Sequence, residues 1–322
     1  MKAFVTGATG FVGTHLVAAL RARGDAVTCL VRFPDRARGL DWTGVRLITG
    51  DLSSQAALRE GCAGADVVFH VAGRISARNL GEYLAVNRDG TARVLEAMTA
   101  APTRRLVHVS TLAVGGPTLP GQPIEESRPP APVTDYGRSK LAAETLVRES
   151  QIAWTIIRPP VVYGERDRET LRIFRLARAG WGPVMGDGTQ ELSIIHAGDL
   201  AAAMIAAATA TATVGHVYYA THPAVTTSAA LVRAVGVAVG RTPRLVHLPG
   251  ALARIALWTV GSLASLTGRA TLLSADKANE FLAPAWTCRS DALTRDTGWR
   301  AMTDLATGLA RTAAWYRAEG WL

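Results

Sequence analysis

Met1-Lys2-Ala3-Phe4-Val5-Thr6-Gly7-Ala8-Thr9-Gly10-Phe11-Val12-Gly13 opens the chain, and its order of apolar strand, glycine loop and helix start decides the fold. Ala3, Phe4 and Val5 predict a buried strand, and Leu16, Val17 and Leu20 follow at the spacing of one helix face. Gly7 permits the tight turn. Gly10 lets backbone N–H groups approach a pyrophosphate at the helix N-terminus, and Gly13 lets helix and strand pack closely. Thr9, Phe11 and Val12 belong to the same cofactor-facing turn. A dinucleotide site is therefore expected at the start of the chain.

Further strand-like runs follow. Ala26 to Val31 predicts a second strand ending at Arg32. An NAD-preferring site usually has a carboxylate there for the ribose 2′-hydroxyl, whereas a guanidinium suits a 2′-phosphate, so NADP(H) is favoured over NAD(H). Val45 to Thr49 predicts a third strand leading to Asp51, which is placed either to accept from adenine or to cap a helix. Val67 to His70 predicts a fourth. Beyond it, the small Val71, Ala72 and Gly73 let backbone approach a cofactor at the strand's carboxyl end. His70 lies in an apolar run and reads as a packed strand residue. Leu106 to Thr111 then brings two hydroxyls, those of Ser110 and Thr111, to opposite faces of a strand.

In Tyr136-Gly137-Arg138-Ser139-Lys140 a phenol and an ammonium four residues apart lie one above the other on a helix. A cation so placed favours the phenolate and lowers the tyrosine's pKa from about 10 by roughly one to three units. The bland alternative is an exposed helical pair.

Thr6 to Gly13, Gly50-Asp51-Leu52, His70 to Gly73, Val86-Asn87-Arg88-Asp89-Gly90-Thr91, Val109-Ser110-Thr111, Tyr136 to Lys140 and Ile157 to Gly164 occur in that order. Together they resemble the extended short-chain dehydrogenase/reductases through about residue 220. The resemblance implies an α/β fold: a Rossmann-type, doubly wound parallel sheet of seven or so strands with a smaller C-terminal substrate lobe. The cofactor domain would comprise 1–164 and 197–222, the lobe 165–196 and 223–322. Thr111 would hydrogen-bond the substrate oxygen and Tyr136 would give or take its proton. Lys140 would lower the tyrosine's pKa and hold the nicotinamide ribose, with hydride moving to or from the nicotinamide C4. Leu52 and Val109 would border the cofactor, Asn87 would order the site, and Pro159 and Val161 would touch the carboxamide through backbone. A homodimer through the helices near Asn87 and Tyr136 is expected from the resemblance alone. Asp199 reads as a helix cap.

The 322 residues, 48% of them hydrophobic, can bury a large core. The net charge is +9, and all but Lys2, Lys140 and Lys277 of the 35 basic residues are arginine. They are scattered, without a basic block, so no nucleic-acid partner is expected; anionic cofactors or membrane surfaces are the natural targets. Cys29, Cys62 and Cys288 match no metal spacing and suggest a reducing compartment, with no metal expected. No apolar leader precedes the first strand, so a cytoplasmic protein is expected, with peripheral membrane association as a second reading.

The substrate side is less determined. Pro117 to Pro132 predicts an extended loop bordering the substrate. Ala251 to Leu266 is apolar except for Arg254 and is shorter than the roughly 20 residues a membrane-spanning helix needs. It reads as the wall or lid of an apolar pocket, as a core helix, or as a membrane-docking face. Trp181, Trp258 and Trp286 are candidates to line such a pocket. Nucleotide-sugar members of the family usually carry an Arg-Asp-Phe-like triplet before the histidine at 196, whereas here the stretch is Glu191-Leu192-Ser193-Ile194-Ile195-His196. Leu112-Ala113 stands where dehydratases place Asp-Glu. The C-terminal part resembles the branch of dihydroflavonol reductases and 3β-hydroxysteroid dehydrogenases. The resulting expectation is an NADP-preferring oxidoreductase interconverting a ketone and a secondary alcohol on a small, apolar, sterol-like or long-chain substrate. The alternatives are a nucleotide-sugar epimerase or reductase and a non-catalytic cofactor-binding protein.

Overall fold

The computed structural model describes residues 1–322 except 102, 104, 253, 256–258 and 260–275. The first part of the chain alternates strand and helix: β1 (Lys2–Thr6), α1 (Phe11–Ala22), β2 (Ala26–Val31), β3 (Arg46–Thr49), α2 (Gln55–Cys62), β4 (Val67–His70), α3 (Leu80–Ala100), β5 (Leu106–Val109), α4 (Asp135–Glu149) and β6 (Trp154–Arg158). Next come β7 (Val161–Tyr163), α5 (Leu171–Arg178), β8 (Trp181–Met185), β9 (Glu191–Leu192), β10 (Ile194–His196), α6 (Ala197–Thr209) and β11 (His216–Tyr219). The remainder forms β12 (Thr226–Thr227), α7 (Ser228–Ala238), β13 (Arg244–Leu248), α8 (Ala278–Phe281), β14 (Ala285–Trp286), α9 (Asp291–Thr297) and α10 (Leu305–Ala318).

Seven strands form one sheet in the order β11-β6-β5-β4-β1-β2-β3, every pair parallel. The alternation of apolar side chains serves both faces. Val5, Phe69 and Val107 join Leu16, Leu20, Leu200 and Met204 in one core layer. Phe4, Val68 and Leu106 join Leu58, Leu95 and Met98 in the other. Helices α1 and α6 thus cover one face, and α2, α3 and α4 the other, which is the doubly wound arrangement. Strand order reverses between β1 and β4, so a crevice opens beyond their carboxyl ends. A third cluster, centred on Phe174, Val235, Leu309 and Tyr316, joins α5, α7 and α10.

The proline-rich loop is stitched to the C-terminal part by backbone bonds. Thr118 N–H donates to Ala285 O at 2.9 Å and Ile124 N–H to Thr287 O at 2.9 Å. One expectation is corrected here: Asp199 does not cap α6. The His196 ring accepts from Gly198 N–H at 3.1 Å instead, while Asp199 Oδ2 takes Thr303 N–H at 2.8 Å. Most of the apolar stretch 251–266, including Trp258, lies outside the described residues; within it Leu252 and Ile255 are each 58% exposed. No helix among the described residues is long and apolar enough to cross a membrane.

Helix α4 is fixed to the sheet by a buried ion pair. Arg158 Nε and Nη2 donate to the two Glu144 oxygens at 2.8 and 2.7 Å, and Ser110 Oγ donates to Oε1 at 2.5 Å. Removing one partner of such a pair leaves an uncompensated buried charge. Glu144→Ala should therefore cost about 3–5 kcal/mol, read as a lower urea midpoint, and Glu144→Leu combined with Arg158→Met should recover much of the loss. A single variant as stable as the wild type would show that the pair does not anchor the helix.

Candidate active site

The turn after β1 is shaped for close approach of a ligand. Gly7 has φ +74°, and a Cβ added there would lie 2.6 Å from Ala72 N, so the loop rests directly on the turn after β4. A Cβ on Gly13 would lie 2.1 Å from Gly7 O. Gly10 N–H donates to Gly7 O at 3.0 Å. As the N-cap of α1, Gly10 brings no side chain to the helix end, which leaves the first-turn N–H groups of Phe11 and Val12 for an outside acceptor. With Thr9 half-buried and Gly10 exposed beside them, this cradle fits a pyrophosphate.

Arg32 is exposed just beyond β2. Asp51 Oδ1 accepts from Ser53 N–H at 2.8 Å and from the Ser53 hydroxyl at 2.5 Å. Those serine bonds, with a smaller contribution from Arg32, hold its carboxyl below the ordinary value. Asp51 thus organises its own turn, and Ser54 is the N-cap of α2. Leu52 reaches α3, where its Cδ1 lies 2.6 Å from the place a Gly90 Cβ would take. Val71 and Ala72 are half-buried and Gly73 is exposed. His70 is a packed strand residue as expected, its ring nitrogens paired with Thr6 Oγ1 at 2.7 Å and Thr91 Oγ1 at 2.9 Å.

Thr111, Tyr136, Lys140 and Asn87 meet at the carboxyl end of β5. Ser110 is spent on Glu144. Thr111, pointing the other way, has its hydroxyl on the side of the Tyr136 phenol, where it favours the ionised form, and its Oγ1 accepts Ala113 N–H at 3.2 Å. Tyr136 stands in the first turn of α4, whose N-cap Thr134 accepts Gly137 N–H at 3.2 Å. Asn87, on α3, accepts Arg74 N–H at 2.7 Å and donates to Arg74 O at 3.0 Å and Ser139 Oγ at 2.9 Å. It therefore joins the loop after β4 to the helix of the tyrosine.

The electrostatics differ from the expectation. Lys140 donates to Val109 O at 2.6 Å, and burial, opposed by Glu144, brings its ammonium down to about 8. Burial pushes the Tyr136 phenol up, with the nearby Thr111 hydroxyl acting the other way. The spacing of four residues brings the two groups to one helix face. It does not by itself lower the phenol, because desolvation is the larger effect.

Pro159 O accepts Leu112 N–H at 2.8 Å, and Val161 is an exposed residue of β7 facing Ile194 in register. Trp181 is exposed. Trp286 is buried, donating from Nε1 to Glu280 O at 2.8 Å. Sequence reasoning missed a further neighbour: Lys277 Nζ lies 4.9 Å from the centre of the Tyr136 ring. Lys277 is one of the chain's three lysines, and that scarcity was its only signal.

A profile of the NAD dependent epimerase/dehydratase family matches residues 3–220. A ceramide reductase of Caulobacter vibrioides is 36% identical over 322 residues, covering 99% of this chain and 95% of that protein. A 4-hydroxy-2-methyl-3-oxo-4-farnesyl-3,4-dihydroquinoline-1-oxide ketoreductase of Stigmatella aurantiaca is 34% identical over 218 residues, 65% of this chain and 64% of that one. Among solved structures, MoeE5 in complex with UDP-glucuronic acid and NAD superposes with a TM-score of 0.79 at 27% identity, covering 99% of this chain and 100% of that chain.

Gly13→Ala should lower affinity for the reduced nicotinamide dinucleotide at least about tenfold, because the added methyl displaces the loop that presents the N–H groups. Titration of nicotinamide fluorescence measures this, with circular dichroism as the folding control. Unchanged affinity would rule the loop out as the cofactor's seat.

Proposed function

The chain belongs to the NAD dependent epimerase/dehydratase family and is an NAD(P)-dependent oxidoreductase, and on that premise we propose that it prefers NADP(H) and interconverts a ketone and a secondary alcohol on an apolar, long-chain or sterol-like substrate. The observation that carries the reading is the hydroxyl pair of Thr111 and Tyr136 at the carboxyl end of the sheet, beside a cradle fitted to a dinucleotide.

Thr111 holds the substrate oxygen, and Tyr136 delivers the proton to it in reduction or removes it in oxidation. A phenol held high by burial stays protonated through the neutral range, which suits the reductive direction. Lys140 has three donors, of which Val109 O takes one; the nicotinamide ribose is its natural second partner. When bound, the nicotinamide supplies or accepts the hydride. Arg32, exposed beyond β2, recognises the 2′-phosphate.

The substrate class draws support from the relatives. One is named for reducing ceramide and aligns over nearly its full length, the other for a 3-oxo compound bearing a farnesyl chain. A second reading, a nucleotide-sugar epimerase, draws on the likeness to a protein solved with UDP-glucuronic acid. Against it stands the strand before His196, which offers no guanidinium for a diphosphate. There Glu191 Oε2 accepts Gly121 N–H at 2.7 Å, and Ser193 Oγ accepts Cys288 N–H at 3.0 Å.

Two measurements test the reading. Tyr136→Phe should lower NADPH-dependent reduction of long-chain ketones by roughly 10²–10⁴-fold with cofactor affinity nearly intact. Undiminished turnover would sink the assignment, and wild-type interconversion of UDP-glucose and UDP-galactose would favour the second reading. Arg32→Ala should weaken NADPH binding by about tenfold or more while leaving NADH little changed; equal losses would remove the case for NADP(H).

A further inference from the structure

The segment Asp276 to Ala283 crosses from the C-terminal lobe onto the start of α4 and is fixed on both sides. Toward the helix, Asp276 Oδ2 accepts Asp135 N–H at 3.0 Å and Asn279 Nδ2 donates to Val133 O at 3.3 Å. Glu280 Oε1 accepts from the hydroxyl of the N-cap, Thr134, at 3.0 Å. Toward the lobe, Gln190 Nε2 donates to the carbonyls of Glu280, Phe281 and Ala283 at 3.2, 3.3 and 2.7 Å. Trp286 Nε1 shares the Glu280 carbonyl at 2.8 Å. The segment satisfies one orphan N–H of α4, that of Asp135, while its own orphan carbonyls are satisfied from behind. Its largely buried ammonium, Lys277 Nζ, pairs with Glu280 and stands 4.9 Å from the Tyr136 ring centre, within the range of a cation–π contact.

Resting on the reading of Tyr136 as the proton donor and acceptor, we infer that Lys277 is a positioning residue for it: a second lysine, delivered by the C-terminal lobe, that fixes the ring's orientation and favours its ionised form. Lys140 is turned toward the Val109 carbonyl, so the cation on the ring itself is the lobe's. Among the described residues, the charged and titratable groups around the phenol are few. Its own helix brings Asp135, Arg138, which pairs with Asp135 at 2.8 Å, and Lys140. Helix α3 brings Tyr83, ring centre 6.0 Å away, and the crossing segment brings Lys277 and Glu280, with Asp276 bonded to the Asp135 N–H beside them. Lys277 and Glu280 act on the phenol in opposite senses, the ammonium favouring phenolate and the carboxylate opposing it. Their pairing balances them.

That opposition gives a two-signed test. 3,5-Difluorotyrosine is installed at position 136 of the full chain, where its more acidic phenol titrates in an accessible range, and is followed by fluorine NMR against pH. Lys277→Met should raise the midpoint by about one pH unit and Glu280→Gln should lower it, with Lys277→Arg near the wild type. Thermal melting checks that each variant is folded. A Lys277→Met midpoint at or below the wild type overturns the proposal, as do shifts of both variants in one direction, which mark loosened packing, or failure of arginine to restore the value. The readout needs no substrate. An unmoved midpoint together with an inactive Tyr136→Phe enzyme removes Lys277 alone, whereas an active Tyr136→Phe enzyme removes the role of the tyrosine.

Discussion

The buried Glu144 carboxylate is the constraint on which the candidate site depends. Taking a carboxylate and a guanidinium out of water costs several kcal/mol per ion, repaid only when every lone pair finds a donor. Glu144 reaches that condition: Oε1 accepts from Ser110 and Arg158 Nε, and Oε2 from Arg158 Nη2 and, at the rim, Arg148. Three elements are thereby joined at one point, namely α4, the end of β5 and β6. Arg158 extends the link to β11 through the Tyr219 hydroxyl at 3.2 Å. The same carboxylate lies one helical turn beyond Lys140 and opposes the effect of burial on that ammonium. A single group therefore anchors α4 and also supports the charge of its buried lysine against burial.

Much of this fold is legible in the sequence because its determinants are local. The glycine triplet, the period-two apolar strands and the helical spacing after Gly13 each act within a few residues. Five of the seven parallel strands are readable this way, whereas β6 and β11 follow only from the resemblance. The same alternation says that only one of Ser110 and Thr111 faces the site, while the choice of Thr111 comes from the family resemblance; the structure commits Ser110 to Glu144.

Features that escape sequence reading are set by distance along the chain or by competition between effects. Tyr136 and Lys140 have the right spacing, yet the sign of the phenol's shift is decided by burial, which no motif encodes. Asp199 has the residue type of a cap but is drawn to Thr303, 104 positions away, leaving the cap to His196. Asp276 and Glu280 complete the first turn of α4 across separations of 141 and 146 residues. No local pattern predicts those pairings, and the apolar stretch preceding them in sequence draws the eye by its hydrophobicity, away from the short polar segment at its end.

The crossing segment also bears on the order in which the protein is made. The glycine loop, β1 to β6 and the hydroxyls of Thr111 and Tyr136 all precede residue 164, and β11 closes the sheet by Tyr219. A nascent chain at that stage carries the glycine loop, Thr111 and Tyr136, but the Asp135 N–H and the Thr134 hydroxyl still lack the carboxylates of Asp276 and Glu280. The start of the tyrosine's helix is finished only when nearly all of these residues have emerged from the ribosome. The glycine loop and the bonds that complete the start of the tyrosine's helix are thus contributed by parts of the chain made at separate times.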